Sequence, residues 1–338
     1  MSTLRNTWPK LLCLTLMLGA GCAPAALNVA QVASPSATLP QVLHLGSAAL
    51  ALAYSPDGQL LATGNGAGQI RLRPQASGVA PRTLPNQSAV TALAFSPNSQ
   101  LLASAGSDGR IRIWDIGTGR LRFTLNPDTY YVTSLAFSPD GQQLASGSGD
   151  NTALSGAGNS VKLWDVGSGR LQSSLLGHTD VVTAVAYSPD GTVLASASRD
   201  NTARLWNVAA RRETRTLRGH TDDLTAVAFA PSGKQLVTGS ADTTLNVWTL
   251  PGGELARTLP SAAPIAALAF APGGTAIAAA GEDRVIRLWN ASTGVGMRVF
   301  LGHTAPIRAL TFAPGGAVLA SGGGLDKTVR VWQWSGGE

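Results

Sequence analysis

The sequence predicts an all-β chain, a seven-bladed β-propeller of four-stranded antiparallel blades closed by an N-terminal strand that pairs into the last blade. Three observations carry this. A tryptophan recurs at Trp114, Trp164, Trp206, Trp248, Trp289 and Trp332, at separations of 50, 42, 42, 41 and 43 residues, and periodicity of this length marks one supersecondary unit stacked on copies of itself. Each copy reads as short runs of alternating residues broken by Gly, Pro, Asp and Asn, the pattern of strands and tight turns. A spare strand-like segment, residues 38–44 (TLPQVLH), precedes the first copy, while the chain ends without a fourth strand for the last.

The copy at residues 177–218 shows the elements in order. Val182, Ala184 and Ala186 alternate with Thr183, Val185 and Tyr187 as a first strand. Ser188-Pro189-Asp190-Gly191 is a turn, with Pro setting φ and Asp-Gly suited to a tight reversal. Residues 193–197 form a second strand, Asp200-Asn201-Thr202 a second turn, 203–207 a third strand and 213–217 a fourth. Such a sheet cannot bury both of its faces alone. It must stack on its neighbours, and radial closure removes the exposed ends of the array.

The strand–turn segment recurs at residues 52–58, 93–99, 135–141, 227–233, 268–274 and 310–316, giving seven copies, within the range of known propellers. The first copy is degenerate, with Arg73 where the tryptophan should stand. Segment 38–44 is expected to supply the missing strand of the seventh blade, and Pro40 suits a position on it whose N–H is not needed.

Gly177-His178, Gly219-His220 and Gly302-His303, with Trp114-Asp115 and Trp164-Asp165 and the looser Trp206-Asn207, Trp289-Asn290 and Trp248-Thr249, resemble the signature of the WD-repeat family of β-propellers. The resemblance covers residues 38–335. It implies a mostly non-catalytic interaction platform with a protein or peptide partner, a monomeric propeller and no cofactor. It also implies hydrogen-bonded tetrads inside three blades: His178, Ser196, Asp200 and Trp206; His220, Thr238, Asp242 and Trp248; His303, Ser321, Asp326 and Trp332. Each His, Ser or Thr, and Asp trio could be mistaken for a hydrolase triad. The same trio at the same repeat position in three copies argues for a structural task instead, and no Gly-x-Ser-x-Gly context accompanies the serines. Gly64-Asn65-Gly66-Ala67-Gly68 lacks a following Lys-Ser/Thr and reads as a turn, not a phosphate loop.

Formal net charge is +6. Arg5 and Lys10 fall in a segment expected to be removed, which leaves 23 basic and 19 acidic residues, a balance of +4. Much of the excess is periodic, at Arg71, Arg112, Lys162, Arg204, Arg287 and Arg330, each two residues before the tryptophan position. Side chains of this kind can lay an aliphatic stem on a neighbouring blade. Small, dispersed positive charge argues against nucleic-acid binding. Both cysteines, Cys13 and Cys22, lie near the N-terminus, and the chain holds four histidines, so thiolate or histidine-rich metal sites are not expected in the propeller.

Arg5 and Lys10 are followed by an apolar run at residues 11–20, too short to span a bilayer but suited to a signal-peptide core. Leu18-Gly19-Ala20-Gly21-Cys22 resembles a bacterial lipobox, with Gly19 where a larger aliphatic residue is usual. The expected organisation is a signal peptide at 1–21, a lipidated Cys22 with an Ala/Pro/Ser-rich tether to residue 37, and the propeller at 38–335. The expected location is the bacterial cell envelope, extracytoplasmic and held to the membrane by N-terminal lipid. The alternative is an ordinary cleaved secretory signal and a secreted protein.

Function is sought where the copies differ. The third copy carries eight surplus residues in its second turn, 153–160, including Leu154 and Asn159, and places Tyr130-Tyr131 in the segment that enters its first strand. Positions equivalent to Tyr131 hold Ala48, Ala89, Val181, Asp223, Pro264 and Pro306. In WD-repeat propellers these two segments open on one face, and tyrosine favours interfaces. Tyr130, Tyr131, Leu154 and Asn159 are therefore the expected partner-binding residues, with Arg199 and Glu282 on the same face. The alternative is that the tyrosines pack under a neutral insertion. A small-ligand or enzymatic propeller using the central channel would need convergent acids or histidines on the first strands, which carry Ala, Leu, Val, Thr and Phe instead.

Overall fold

Strands Val182–Tyr187, Val193–Ser198, Thr202–Asn207 and Arg212–Arg218 pair antiparallel in chain order to form one blade. The structure, a computed structural model, describes residues 40–127, 131–149 and 159–334. Seven such four-stranded sheets follow one another, numbered here as blades 1 to 7 from the sheet that begins at Ala49. The seven first strands touch their neighbours in turn, and that of blade 7 touches that of blade 1, so the ring closes.

Burial follows position in the ring. The second strand of each blade is covered on both sides by adjacent blades and is built from small and aliphatic residues, as in Val193–Ser198 (VLASAS). The fourth strand is at the outer edge, and in Arg212–Arg218 only Leu217 is fully buried. Apolar clusters fill the seams. Between blades 4 and 5, for example, Leu205 and Leu217 meet Leu224, Val227 and Trp248.

Two devices repeat around the ring. Six of the seven first turns carry a glycine at positive φ, blade 2 having Ser99 (φ 60°) there instead, and Gly191 (φ 73°) sits so close to Pro139 of the preceding blade that an added Cβ would lie 3.3 Å from its Cδ. In each blade the pairing of the first and second strands slips by one residue, between Val182 and Ala184 in blade 4, a bulge that increases local twist. The bulged residue is a threonine in blades 2 to 5. Thr91 Oγ1 donates to the Val132 carbonyl at 2.7 Å, Thr133 to Val182, Thr183 to Leu224 at 2.7 Å and Thr225 to Ile265 at 2.7 Å. In blades 6, 7 and 1 the same position holds Ala266, Arg308 and Leu50, which makes no such bond.

The N-terminal strand closes blade 7 as expected, antiparallel to Thr328–Gln333 with Gln41 opposite Val331 and Leu43 opposite Val329. It is shorter than residues 38–44, covering Gln41–His44, so Pro40 stands before the strand and not on it. A proline has no N–H for the ladder, and pairing starts one residue after it. In blade 1 Arg73 takes the tryptophan register, opposite Leu61 as Trp206 is opposite Leu194. The outer strand of blade 4 is also longer at both ends than residues 213–217.

Candidate functional site

The three tetrads form as the resemblance implies. In blade 4 His178 Nδ1 lies 2.8 Å from Asp200 Oδ2 and Nε2 lies 2.7 Å from Ser196 Oγ, while Trp206 Nε1 donates to the same hydroxyl at 2.8 Å. In blade 5 the distances from His220 are 2.8 Å to Asp242 and 2.8 Å to Thr238, with Trp248 at 2.9 Å. In blade 7 His303 lies 2.7 Å from Asp326 and 2.8 Å from Ser321, with Trp332 at 2.8 Å. An indole N–H can only donate, so Ser196 Oγ accepts from Trp206 and its own proton is directed to Nε2, leaving Nδ1–H for Asp200. Asp200 Oδ2 also accepts the Thr179 amide at 3.1 Å, which fixes the loop entering the blade.

Burial alone would raise these aspartates. Hydrogen bonds from His178, Thr202 and the Thr179 amide, with the histidine charge, hold Asp200 far below the usual carboxylate range. Asp242 and Asp326 are lowered in the same way. For His303, burial lowers the pKa and Asp326 opposes it without prevailing. Ser196, Thr238 and Ser321 are each 0% exposed, so no substrate reaches the oxygen that a hydrolase would use. The glycine of each Gly-His pair has a packing reason: a Cβ on Gly177 would sit 2.7 Å from Arg204 Nη1, and one on Gly302 2.7 Å from Arg330 Nη1.

Blade 2, which lacks the histidine, has a substitute. Asn86 Oδ1 accepts from Ser104 Oγ at 2.7 Å while Trp114 donates to Ser104 at 2.9 Å. Asn86 lies 18 residues before Ser104, the spacing of His178 to Ser196, and that spacing could have found it in the sequence. Three of the periodic arginines are held by carboxylates of their own blade. Arg112 pairs with Asp108 at 2.6 Å, Arg287 with Asp283 at 2.6 Å and Arg204 with Glu213.

The second turn of a blade and the segment entering its first strand share a face, joined by backbone bonds at six of the positions equivalent to Tyr131. Gly66, Ser107, Arg199, Ala241, Glu282 and Gly324 donate their amides to the carbonyls of Ala48, Ala89, Val181, Asp223, Pro264 and Pro306 at 2.9–3.1 Å. Tyr131 starts the strand Tyr131–Phe137 opposite Gly149 and is half-buried. Asn159 is 5% exposed, turned into the protein, so it offers a partner little surface. Tyr130 and Leu154 lie outside the described residues, as does Cys22. Arg199 Nε lies 3.6 Å from Asp223 Oδ2 across the seam of blades 4 and 5, and Arg308 pairs with Glu282 at 2.7 Å across that of blades 6 and 7. Both pairs are about half-exposed, so the two residues singled out on this face are already engaged with neighbours. Burial, with repulsion from Asp222 and Asp180, raises Asp223 despite Arg199.

Among the described residues no group of three or more His, Cys, Asp or Glu could hold a metal ion, and no helix is long and apolar enough to cross a membrane. A family model described as "IFT122 first beta-propeller" matches residues 152–337, and one described as "WD domain, G-beta repeat" matches residues 39–72, 78–115 and 119–165. No curated protein matches the chain. Propellers of this kind generally act as non-enzymatic scaffolds that bind proteins or peptides. The first of these matches spans more than half of the chain, and with its seven four-stranded blades and three tetrads the chain belongs to the WD-repeat β-propeller family.

Proposed function

We propose that this protein is a non-catalytic interaction scaffold, monomeric and tethered through lipid on Cys22 to the extracytoplasmic side of a bacterial membrane. Its partner docks on the face shared by the second turns and the entering segments. The observation that carries the docking face is the set of backbone bonds from the second turns to the Tyr131-equivalent positions. Tyr131 is the blade 3 counterpart of those six positions, and this equivalence supports reading it, with its sequence neighbour Tyr130, as part of the docking surface. Tyrosine there gives large contact area at low entropic cost.

The anchor and the face are tested separately. Intact-mass spectrometry is expected to show a mature chain that begins at a lipid-modified Cys22, and Cys22→Ser is expected to release the protein from the membrane fraction. An unmodified N-terminus elsewhere would remove the tether from this reading and leave a secreted scaffold. With a partner isolated from the same membranes, Tyr131→Ala is expected to weaken binding by about 1–2 kcal/mol with little change in melting temperature. The reverse, lower stability with unchanged affinity, would mean that the tyrosines only support the insertion.

A further inference from the structure

The rim of blade 4 carries charge that nothing else in the fold uses. Its outer strand, Arg212–Arg218, presents Arg212, Arg215 and Arg218 as exposed side chains. Among the described residues none of the three side chains makes a hydrogen bond or ion pair, although the Arg215 stem lies against Gly253 of blade 5. Arg211, just before the strand, donates to the Gln172 carbonyl at 3.1 Å and adds a fourth positive charge. The strand's own acid, Glu213, is occupied by Arg204 and Thr216, so no free carboxylate balances the row.

Other blades use their rim arginines. Arg82 donates to the Gly117 carbonyl at 3.3 Å and Arg257 to that of Ser292. Arg122 and Arg298 lie over the rings of Phe123 and Phe300, 5.4 and 5.2 Å from their centroids. The outer strand of blade 5, equally long, contains Glu254 and ends in Pro260, which lacks an N–H. Strand Arg212–Arg218 contains no proline. It is the last strand of its sheet, so one row of its backbone donors and acceptors is unpaired. Its seven residues span roughly 20 Å at strand rise, enough for a seven- or eight-residue segment.

We propose that this rim strand receives an acidic, extended peptide segment of a partner protein, which adds to blade 4 as a fifth strand. The backbone ladder supplies the register and the free arginines supply charge-assisted bonds to the incoming carboxylates. The same arginines repel a second copy of this chain, because edge-to-edge pairing of like strands would set the positive rows against each other. The site lies on the rim, away from the face assigned to the partner above, and does not depend on that reading.

A fluorescein-labelled octapeptide of alternating glutamate and valine, titrated with the full chain and followed by anisotropy, tests the proposal. The expected result is saturable binding that weakens with added salt and falls at least about tenfold in the triple variant Arg212→Glu, Arg215→Glu, Arg218→Glu, at unchanged melting temperature. That variant keeps a charged, aggregation-resistant edge and reverses only its sign. Should it fail to fold, Arg212→Gln with Arg218→Gln is expected to weaken binding in the same direction. The octapeptide N-methylated at alternate residues, which removes one set of ladder donors, is also expected to lose binding. Unchanged affinity of the methylated peptide would overturn strand addition. Vesicles of phosphatidylglycerol bound through these arginines, with no binding of the peptide, would overturn the proposal in favour of a lipid surface.

Discussion

Thr183 Oγ1 donates to the carbonyl of Leu224 at 2.7 Å, 41 residues further along the chain and one blade away. The same bond joins blades 2 to 3, 3 to 4 and 5 to 6, so a hydroxyl-to-carbonyl zipper runs along the first strands of five consecutive blades and stops where Ala266, Arg308 and Leu50 take the threonine position.

Thr183→Val keeps the shape and removes the donor. It is expected to cost about 1 kcal/mol in stability, the net value of one such bond, read as a lower urea midpoint with an unchanged slope. Ala266→Thr should extend the zipper into blade 7 and raise the midpoint by a comparable amount. A variant at residue 183 as stable as the parent would show that the bond contributes nothing net.

The unzippered seams flank the place where the ring is closed without a covalent link, by the four paired residues Gln41–His44. A chain beginning at Leu45 leaves Thr328–Gln333 as a bare edge and removes Leu43, buried against the strand it pairs with. Its melting temperature is expected to drop markedly and it should aggregate on heating. Equal melting of the two proteins would mean that the ring closes by other contacts.

His220→Ala leaves Asp242 and Thr238 short of a buried partner, at an expected cost of roughly 1–3 kcal/mol in stability. Binding of any partner should persist below the new melting point. Full stability with loss of function alone would reverse the structural assignment of the tetrads.

Acid should weaken the fold in two steps. His303 has a folded pKa below its ordinary 6.5. Its contribution is present above that value and is lost as pH falls below it, because the unfolded chain takes up the proton first. Asp200, Asp242 and Asp326 lie below the ordinary 3.8, and their contribution is lost only as pH falls through and beneath that value. Melting temperature, measured near neutral pH and again at about pH 5 and about pH 3, should therefore decline twice. His303→Asn, which places in blade 7 the residue type that serves blade 2 at Asn86, should remove the His303 part of the first decline and reduce the second only by the share of Asp326, which His303 helps to lower.

By itself the sequence determined the number of blades, the four strands in each and the tetrads, because these are local in period. A strand needs only its alternation and a turn its Pro, Asp or Gly, while the tetrads, implied by the family resemblance, keep the offsets from His178 to Ser196, Asp200 and Trp206 around His220 and, one residue longer beyond Ser321, around His303. It also determined that residues near 38–44 close the ring, since one strand was spare and one was missing. Only the tertiary structure decided what crosses a seam. That Thr183 reaches Leu224, that Arg199 meets Asp223 and Arg308 meets Glu282, and that Asn159 turns inward all depend on how one twisted sheet sits on the next, about forty residues away, a relation that no period within a blade encodes. The same holds for the rim. Arginines recur along the whole chain, but whether one is held by a carboxylate, a carbonyl or a ring, as Arg204, Arg257 and Arg298 are, or is left without a polar partner as Arg212 and Arg218 are, is fixed by which neighbours the closed ring brings within reach.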